Sequence, residues 1–357
     1  MQTSSRKLLV VLIGLLLLGF VAYLSGGFIR HEDFSWGKLL HTVRGANPLL
    51  LFASLIAIYA CYALRALRWK VFQANLGPSH FWVIYKITLA GFSALFLLGR
   101  LGELIRPVLL ARKEKLPVAD MFGIYALERV FDIASMAAIA AIALLLFKAN
   151  PYVVEATRTT GSLLFLVVIG GIAFLVYARL HGTALLERRL QGWLKGRGWR
   201  RKIAGILMGF VRGAQILRTW GQLAQAVAYS AAHWFLVLLI YFWVSRSFGG
   251  RLGTITMAEA TLVMAFTLVG SVFQLPAVGG GSQLASILAY TTIVGVEKEP
   301  ATAAAIILYL VTFAACSLVG APLLAHEGLS LGKLREMAEH EKEAAGETVA
   351  HQGDPAQ

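Results

Sequence analysis

Charge is what this sequence lacks most. Of 357 residues only 15% are charged, while 58% are hydrophobic. Soluble domains carry about 25% charged residues, so a water-soluble globule is excluded. The two cysteines, Cys61 and Cys316, both fall inside apolar runs and offer neither a disulfide framework nor a zinc spacing. They read as small buried hydrophobes. The eight histidines are scattered, with no H-E-x-x-H and no Cys/His cluster, so no metal is expected. There is no G-x-x-x-x-G-K-[ST] loop, which excludes ATP hydrolysis by that route, and no G-x-S-x-G elbow. No cofactor is expected.

What the chain has is apolar length and an uneven excess of positive charge. Thirty-three bases against nineteen acids give +14. Seven acids and three bases lie in the last 31 residues, so the first 326 carry +18. In a membrane chain this marks cytoplasmic loops and anionic headgroups rather than nucleic acid. A span needs about 20 mostly apolar residues. The strong candidates are 8–29, 48–69, 121–147, 161–180, 223–245 and 301–325. The first follows Arg6-Lys7, but its length and the absence of an A-x-A site favour a span over a signal peptide.

Two further apolar stretches are broken. Residues 80–98 carry Lys86 and run into Gly99-Arg100-Leu101-Gly102. Residues 257–276 end at Pro276, ahead of Gly279, Gly280 and Gly281, and 283–296 follow. The positive-inside rule places Arg65, Arg68, Lys70 and the basic 179–218 stretch in the cytoplasm. A full crossing at 80–98 would put Arg100, Arg106, Arg112, Lys113 and Lys115 outside. A re-entrant hairpin over 80–112 keeps them inside. The same count makes 257–296 a hairpin of opposite sense and leaves both termini cytoplasmic. Each half then reads as span, hairpin, span. The expected fold is an all-α polytopic membrane protein of about six full transmembrane helices plus two re-entrant hairpins in an inverted repeat. In such folds, Gly/Pro-broken segments point to a substrate site near the midplane. The transmembrane domain is expected over 1–325, with halves 48–147 and 223–325. A basic interfacial segment, 181–222, joins them, and a disordered cytoplasmic tail follows over 326–357.

The densest polar constellation is Arg100, Glu103 and Arg106. Glu103 and Arg106 stand i, i+3, glycines permit a tight reversal, and Pro107 suits an early helical position. Guanidinium groups match phosphate oxygens two at a time. Glu128, Arg129 and Asp132 follow inside an apolar helix, where each charge costs roughly 2.5–3.5 kcal/mol on insertion scales. Glu128 and Asp132 share a face and need partners, which the arginines of the preceding hairpin can supply. Arg65 and Arg68 read first as side chains snorkelling to the headgroups, with lining of a lipid entrance as the alternative. His233-Trp234 reads as a packed pair, or as cavity lining.

The run GRLGELIRPVLLARKEKLPVADMFGIYALERVFDI resembles the signature of the lysylphosphatidylglycerol synthase transmembrane (flippase-like) family. Arg100, Gly102, Glu103, Arg106, Glu128, Arg129 and Asp132 match it residue by residue. Arg65-Ala-Leu-Arg68-Trp69 resembles its R-x-x-R-W, and LPAVGGGSQLASI its second-half P-x-x-G-G-x-G segment. Ser282-Gln283 stand where many members carry an acid, so Gln283 and glycine backbone are expected to line the cavity there. The resemblance implies a membrane lipid translocase that binds a phospholipid or lipid-linked headgroup through these residues. Partners would be that lipid and a second copy or a pathway enzyme. No soluble aminoacyl transferase domain is seen, since nothing outside the spans exceeds about 45 residues, so no enzyme activity is expected. An intramembrane transferase with Glu103 or Glu128 as base, or a scaffold for a lipid or glycan pathway, are the alternatives. The nearby arginines weigh against basicity.

Overall fold

The computed structural model describes residues 35–146, 217, 219–271, 274–275 and 279–326, with isolated positions between 162 and 192. Local signals start several of the helices. Ser35 caps α1 (Trp36–Arg44) by accepting the Lys38 N–H. Asn47 caps α2 (Pro48–Gln73) by accepting the Leu49 N–H at 2.9 Å, with proline at the first helical position. After α3 (Phe81–Leu98), Gly99 at φ +66° turns the chain into a tight 3₁₀ segment, Gly99–Leu104. There α4 (Ile105–Glu114) begins. Lys115 in the left-handed region ends α4 ahead of Pro117, and α5 (Val118–Leu146) follows. Capping boxes start α6 (Trp220–Ser247) at Thr219/Gln222 and α7 (Met257–Gly270) at Thr256/Glu259. A two-residue antiparallel pairing, Gln274–Leu275 with Gly279–Gly280, leads into α8 (Gly281–Ala289). The last helix is α9 (Lys298–His326).

Among the described residues four helices, α2, α3, α6 and α9, are long and apolar enough to cross a membrane, and the protein is a multi-pass helical membrane protein. The 80–98 segment forms helix α3, which turns back into α4. At 18 residues it reaches about 27 Å, the depth of a hydrocarbon core. The 121–147 candidate is a 29-residue helix, α5, longer than a hydrocarbon core is deep. The expected spans 8–29 and 161–180, the interfacial segment up to 216 and the tail from 327 lie outside the described residues. Exposed tryptophans mark the ends of the bundle, Trp82 and Trp220 at one end and Trp36 on α1.

Helices α2 and α6 run antiparallel along their whole length. Asn47 N–H donates to Ser247 O (2.7 Å) at one end, and Asn75 Nδ2 donates to Gln222 Oε1 (2.9 Å) at the other. The chain leaves α2 and folds back on itself. His80, at the start of α3, donates its N–H to Glu114 Oε1 (3.3 Å), while Gly91 faces Arg106 and Gly102 lies on the Ala94–Leu95 backbone. The descending arm and the returning 3₁₀ segment plus α4 are each about 27 Å long, so the ends meet at one level. Helices α7 and α8 form a second antiparallel pair. Thr267 and Ser286 share a 2.7 Å hydrogen bond, and Gly270 lies on Gly281 O. The tip of the first pair packs against Gln274–Leu275 at the tip of the second. Helix α9 packs on α3 as α5 packs on α7. Two apolar cores result: Trp69, Phe72, Ile84, Leu110 and Ile124 in one, and Tyr241, Val263, Tyr290 and Leu308 in the other.

Helix α9 widens into a π turn at Leu310–Ala314 and carries Pro322 inside it. Carbonyls loosened by such breaks need donors at membrane depth. Tyr62 Oη donates to Thr312 O (3.3 Å), Tyr59 Oη to Ala315 O (2.7 Å) and Ser93 Oγ to Cys316 O (3.1 Å).

Candidate functional site: a buried ion-pair network

Three helices and the 3₁₀ segment bring their charges to one place. Arg65 and Arg68, one turn apart on α2, face Glu128 and Asp132, one turn apart on α5. Arg65 Nη1 donates to Glu128 Oε1 and to Asp132 Oδ2, both at 3.0 Å. Arg68 Nη2 donates to Glu128 Oε1 (3.1 Å) and Asp132 Oδ1 (2.7 Å), while its Nη1 reaches Ser230 Oγ on α6 (2.9 Å). Arg106 on α4 donates to both Glu128 oxygens. Arg129 pairs with Asp132 (3.0 Å) and Glu128 (3.4 Å), and approaches Glu103 at 4.0 Å. Tyr125, one turn before Arg129, donates its hydroxyl to Glu103 Oε2 (2.6 Å).

Burial makes the network consequential. The Glu128 side chain is 0% exposed and that of Arg68 1%, whereas the Arg129 side chain keeps 32%. Aromatic faces stand behind the cations, with Arg106 4.5 Å over Trp69 and Arg65 5.2 Å over Phe92. Among the described side chains, four guanidinium groups against three carboxylates leave one surplus positive charge. Each guanidinium has five N–H donors, whereas a carboxylate offers about four acceptor sites. Arg68 Nε and Arg129 Nε accordingly have no acceptor among the described residues. A cleft between α3, the 3₁₀ segment, α4 and α5 opens beside the network. Gly91, Phe92, Glu103, Arg106, Tyr125 and Arg129 line it. Its volume of about 20 Å³ suits a single water.

The geometry corrects two sequence readings. Arg65 and Arg68 do not snorkel to headgroups. They are buried and form the main counter-charge of Glu128 and Asp132, which the sequence reading assigned to the hairpin arginines. Glu103 and Arg106 do not pair with each other; Arg106 turns to Glu128 and Glu103 to Tyr125 and Arg129. Arg100 lies in the 3₁₀ segment, and its side chain is outside the described residues. On the second pair, Gly279 and Gly280 form the short antiparallel pairing and Gly281 opens α8. Gln283 Oε1 accepts the Gly280 N–H at 3.4 Å, which makes it a cap of that helix. Polarity in this half comes from hydroxyls, as in the 2.7 Å contacts Thr267–Ser286 and Ser245–Tyr290. Tyr125 and Ser230 escaped the sequence reading. Tyr125 shares a face with Glu128 and Arg129, a signal that was available, but nothing in the sequence singles out Ser230.

Fold and network together define a polytopic helical membrane protein with an ion-paired polar centre. The chain belongs to the family described as the lysylphosphatidylglycerol synthase TM region, whose model matches residues 7–320. That match covers the membrane part and ties the protein to lipid-related function. No curated protein and no solved structure matches the chain.

Proposed function

We propose that this protein is a lipid translocase that holds the anionic headgroup of a membrane lipid at the Arg65/Arg68/Arg106/Arg129 cluster while the acyl chains stay in the bilayer. The observation that carries this reading is the buried surplus of guanidinium donors beside a cleft. A phosphate supplies the acceptors that the carboxylates leave unmet. Buried ionisable groups in membrane helices mark substrate pathways by default. Glu128 and Asp132 hold the arginines in place when no lipid is present. The cleft has room for one water, so the headgroup enters after the α3–α4 pair moves relative to α5.

In this reading α2–α5 and α6–α9 are inverted repeats, and the pairs 80–114 and 257–296 are re-entrant hairpins entering from opposite faces. Support comes from the antiparallel α2–α6 packing, the tip-to-tip contact of the pairs and the matching α3–α9 and α7–α5 interfaces. The face bearing the α2 C-terminus and the base of the first pair is cytoplasmic, since Lys70, Arg112, Lys113 and Lys115 gather there.

The test is leaflet exchange in proteoliposomes carrying fluorescent phosphatidylglycerol or phosphatidylcholine. Exchange of the anionic lipid should accelerate, and should fall about tenfold or more in Arg106→Ala and Glu128→Gln, since a hydrogen bond to a charged group contributes about 1.5–3 kcal/mol. No acceleration with either lipid by folded protein refutes the reading.

A further inference from the structure

His233 on α6 is a buried titratable group that the network does not use. It is 4% exposed, and neither ring nitrogen has a hydrogen-bond partner among the described residues. Its ring meets Trp234 edge-on at 5.4 Å between centroids, and its own carbonyl accepts from Cys61 on α2. The charged groups that face it are Arg65 and Arg68 from α2 and Glu128 and Asp132 from α5. Ser230, one turn away on α6, is the hydroxyl that Arg68 holds. A buried donor or acceptor left unmet costs about 1–3 kcal/mol, so an imidazole with both nitrogens unmet beside an ion network calls for a reason.

We propose that His233 is a proton-binding site coupled to the anion site, so that each anionic headgroup taken up brings a proton with it. This rests on the headgroup reading above. With the site empty, the network carries one surplus positive charge, and a second on His233 is opposed by Arg65 and Arg68. A bound phosphate monoanion cancels the surplus, and the imidazolium then sits beside Asp132, Glu128 and the phosphate. The proton comes from solvent and adds to a ring nitrogen as N–H⁺; no other bond is made or broken. Linkage is reciprocal: if the anion favours the proton, the proton favours the anion equally. Anion affinity therefore weakens as pH rises through the range where the imidazole titrates, by at most about tenfold per pH unit for one linked proton. A proton gradient then supplies a driving force for lipid movement.

The experiment is calorimetric titration of the purified full-length protein with dihexanoyl phosphatidylglycerol in two buffers of different ionisation enthalpy, from pH 6 to 8. The difference between buffers counts protons taken up. The expected result is roughly half a proton or more per lipid near neutral pH, tighter binding at pH 6 than at 8, and loss of both in His233→Gln. Uptake should persist in His41→Gln and His326→Gln, which lie far from the network in the chain. Lipid binding without proton uptake, or uptake undiminished in folded His233→Gln, overturns the coupling and leaves the headgroup reading intact. Absence of lipid binding overturns the headgroup reading and the coupling with it. Should His233→Gln fail to fold, the wild-type proton count and its pH series decide alone.

Discussion

Replacing Glu128 by glutamine tests the network at its hub. The change keeps volume and removes one negative charge from a side chain with no exposure and four guanidinium neighbours. Its consequences are uneven. Arg65, Arg68 and Arg129 retain Asp132 as a partner, but among the described residues Arg106 has only Glu128 as its ionic partner. What remains for Arg106 is the faces of Trp69 and Phe92, worth about 0.5–2 kcal/mol. Leaving a buried charge unpaired costs about 3–5 kcal/mol, so a net loss near 3 kcal/mol is expected. Reversible unfolding by dodecyl sulfate in mixed micelles, followed by tryptophan fluorescence, measures it. The double variant Arg106→Gln/Glu128→Gln removes both partners and should recover part of the loss, with a coupling of at least about 1.5 kcal/mol in the cycle. A loss under about 1 kcal/mol for Glu128→Gln, or strictly additive single losses, would refute the description of Arg106 and Glu128 as a desolvated pair.

Other substitutions probe different parts of the architecture. Arg251→Gln breaks an ion pair with Glu259 in which the arginine is 44% exposed, and the same assay should give a loss under about 1 kcal/mol. Gly320→Ala places a methyl group against the Leu89 carbonyl and Ser93 Oγ where α9 crosses α3; a loss of about 1–3 kcal/mol is expected from overpacking. Gly295→Ala meets open space at φ +72° and should lose only about 1 kcal/mol, from backbone strain. Because Cys61 and Cys316 are buried, introduced cysteines read topology cleanly. Arg112→Cys should resist an impermeant reagent added outside intact cells, whereas His41→Cys on α1 should react. Ready labelling of Arg112→Cys from outside would refute the orientation and the first re-entrant hairpin together.

Helices α2, α6 and α9 lie on apolar runs that the sequence displays openly, whereas α3 lies on one of its broken stretches, and the reversal at Gly99–Gly102 follows from glycine chemistry alone. Glu128 and Asp132 were legible as a pair needing cations because their i, i+4 spacing puts two charges on one apolar helix face. The identity of those cations was not legible. Arg65 and Arg68 meet the acids across more than sixty residues of sequence, through a helix crossing that hydropathy does not specify. Position near a helix end suggested snorkelling to water, yet α2 is covered by α5 and α6 at that level, so the guanidinium groups turn inward. The expected Glu103–Arg106 pair failed for a related reason. Both side chains take partners on α5 instead, Arg106 on Glu128 and Glu103 on Tyr125 and Arg129. The π turn in α9 has no signature in the sequence; its carbonyls are satisfied from α2 and α3, which only the tertiary fold brings near.

If the two halves are inverted repeats, as proposed, charge is distributed unevenly between them, and this constrains the proposed transport cycle. Counted from the first residues of the corresponding helices, Arg65 and Arg68 fall opposite Val237 and Ile240, and Glu128 and Asp132 opposite Leu308 and Thr312. The second half therefore has no copy of the network to hand a phosphate to. In the proposed cycle the headgroup stays with the first half, and access changes through the hairpin tips, which touch between Gly99–Leu104 and Gln274–Leu275. Tethering those tips separates binding from movement. With cysteines introduced at Leu101 and Leu275 and joined by a short bifunctional thiol reagent, phosphatidylglycerol exchange should stop while dihexanoyl phosphatidylglycerol still binds, and cleavage of the tether should restore exchange. Exchange continuing at the untethered rate would mean that the tips do not gate the path, and that the contact between them serves packing alone.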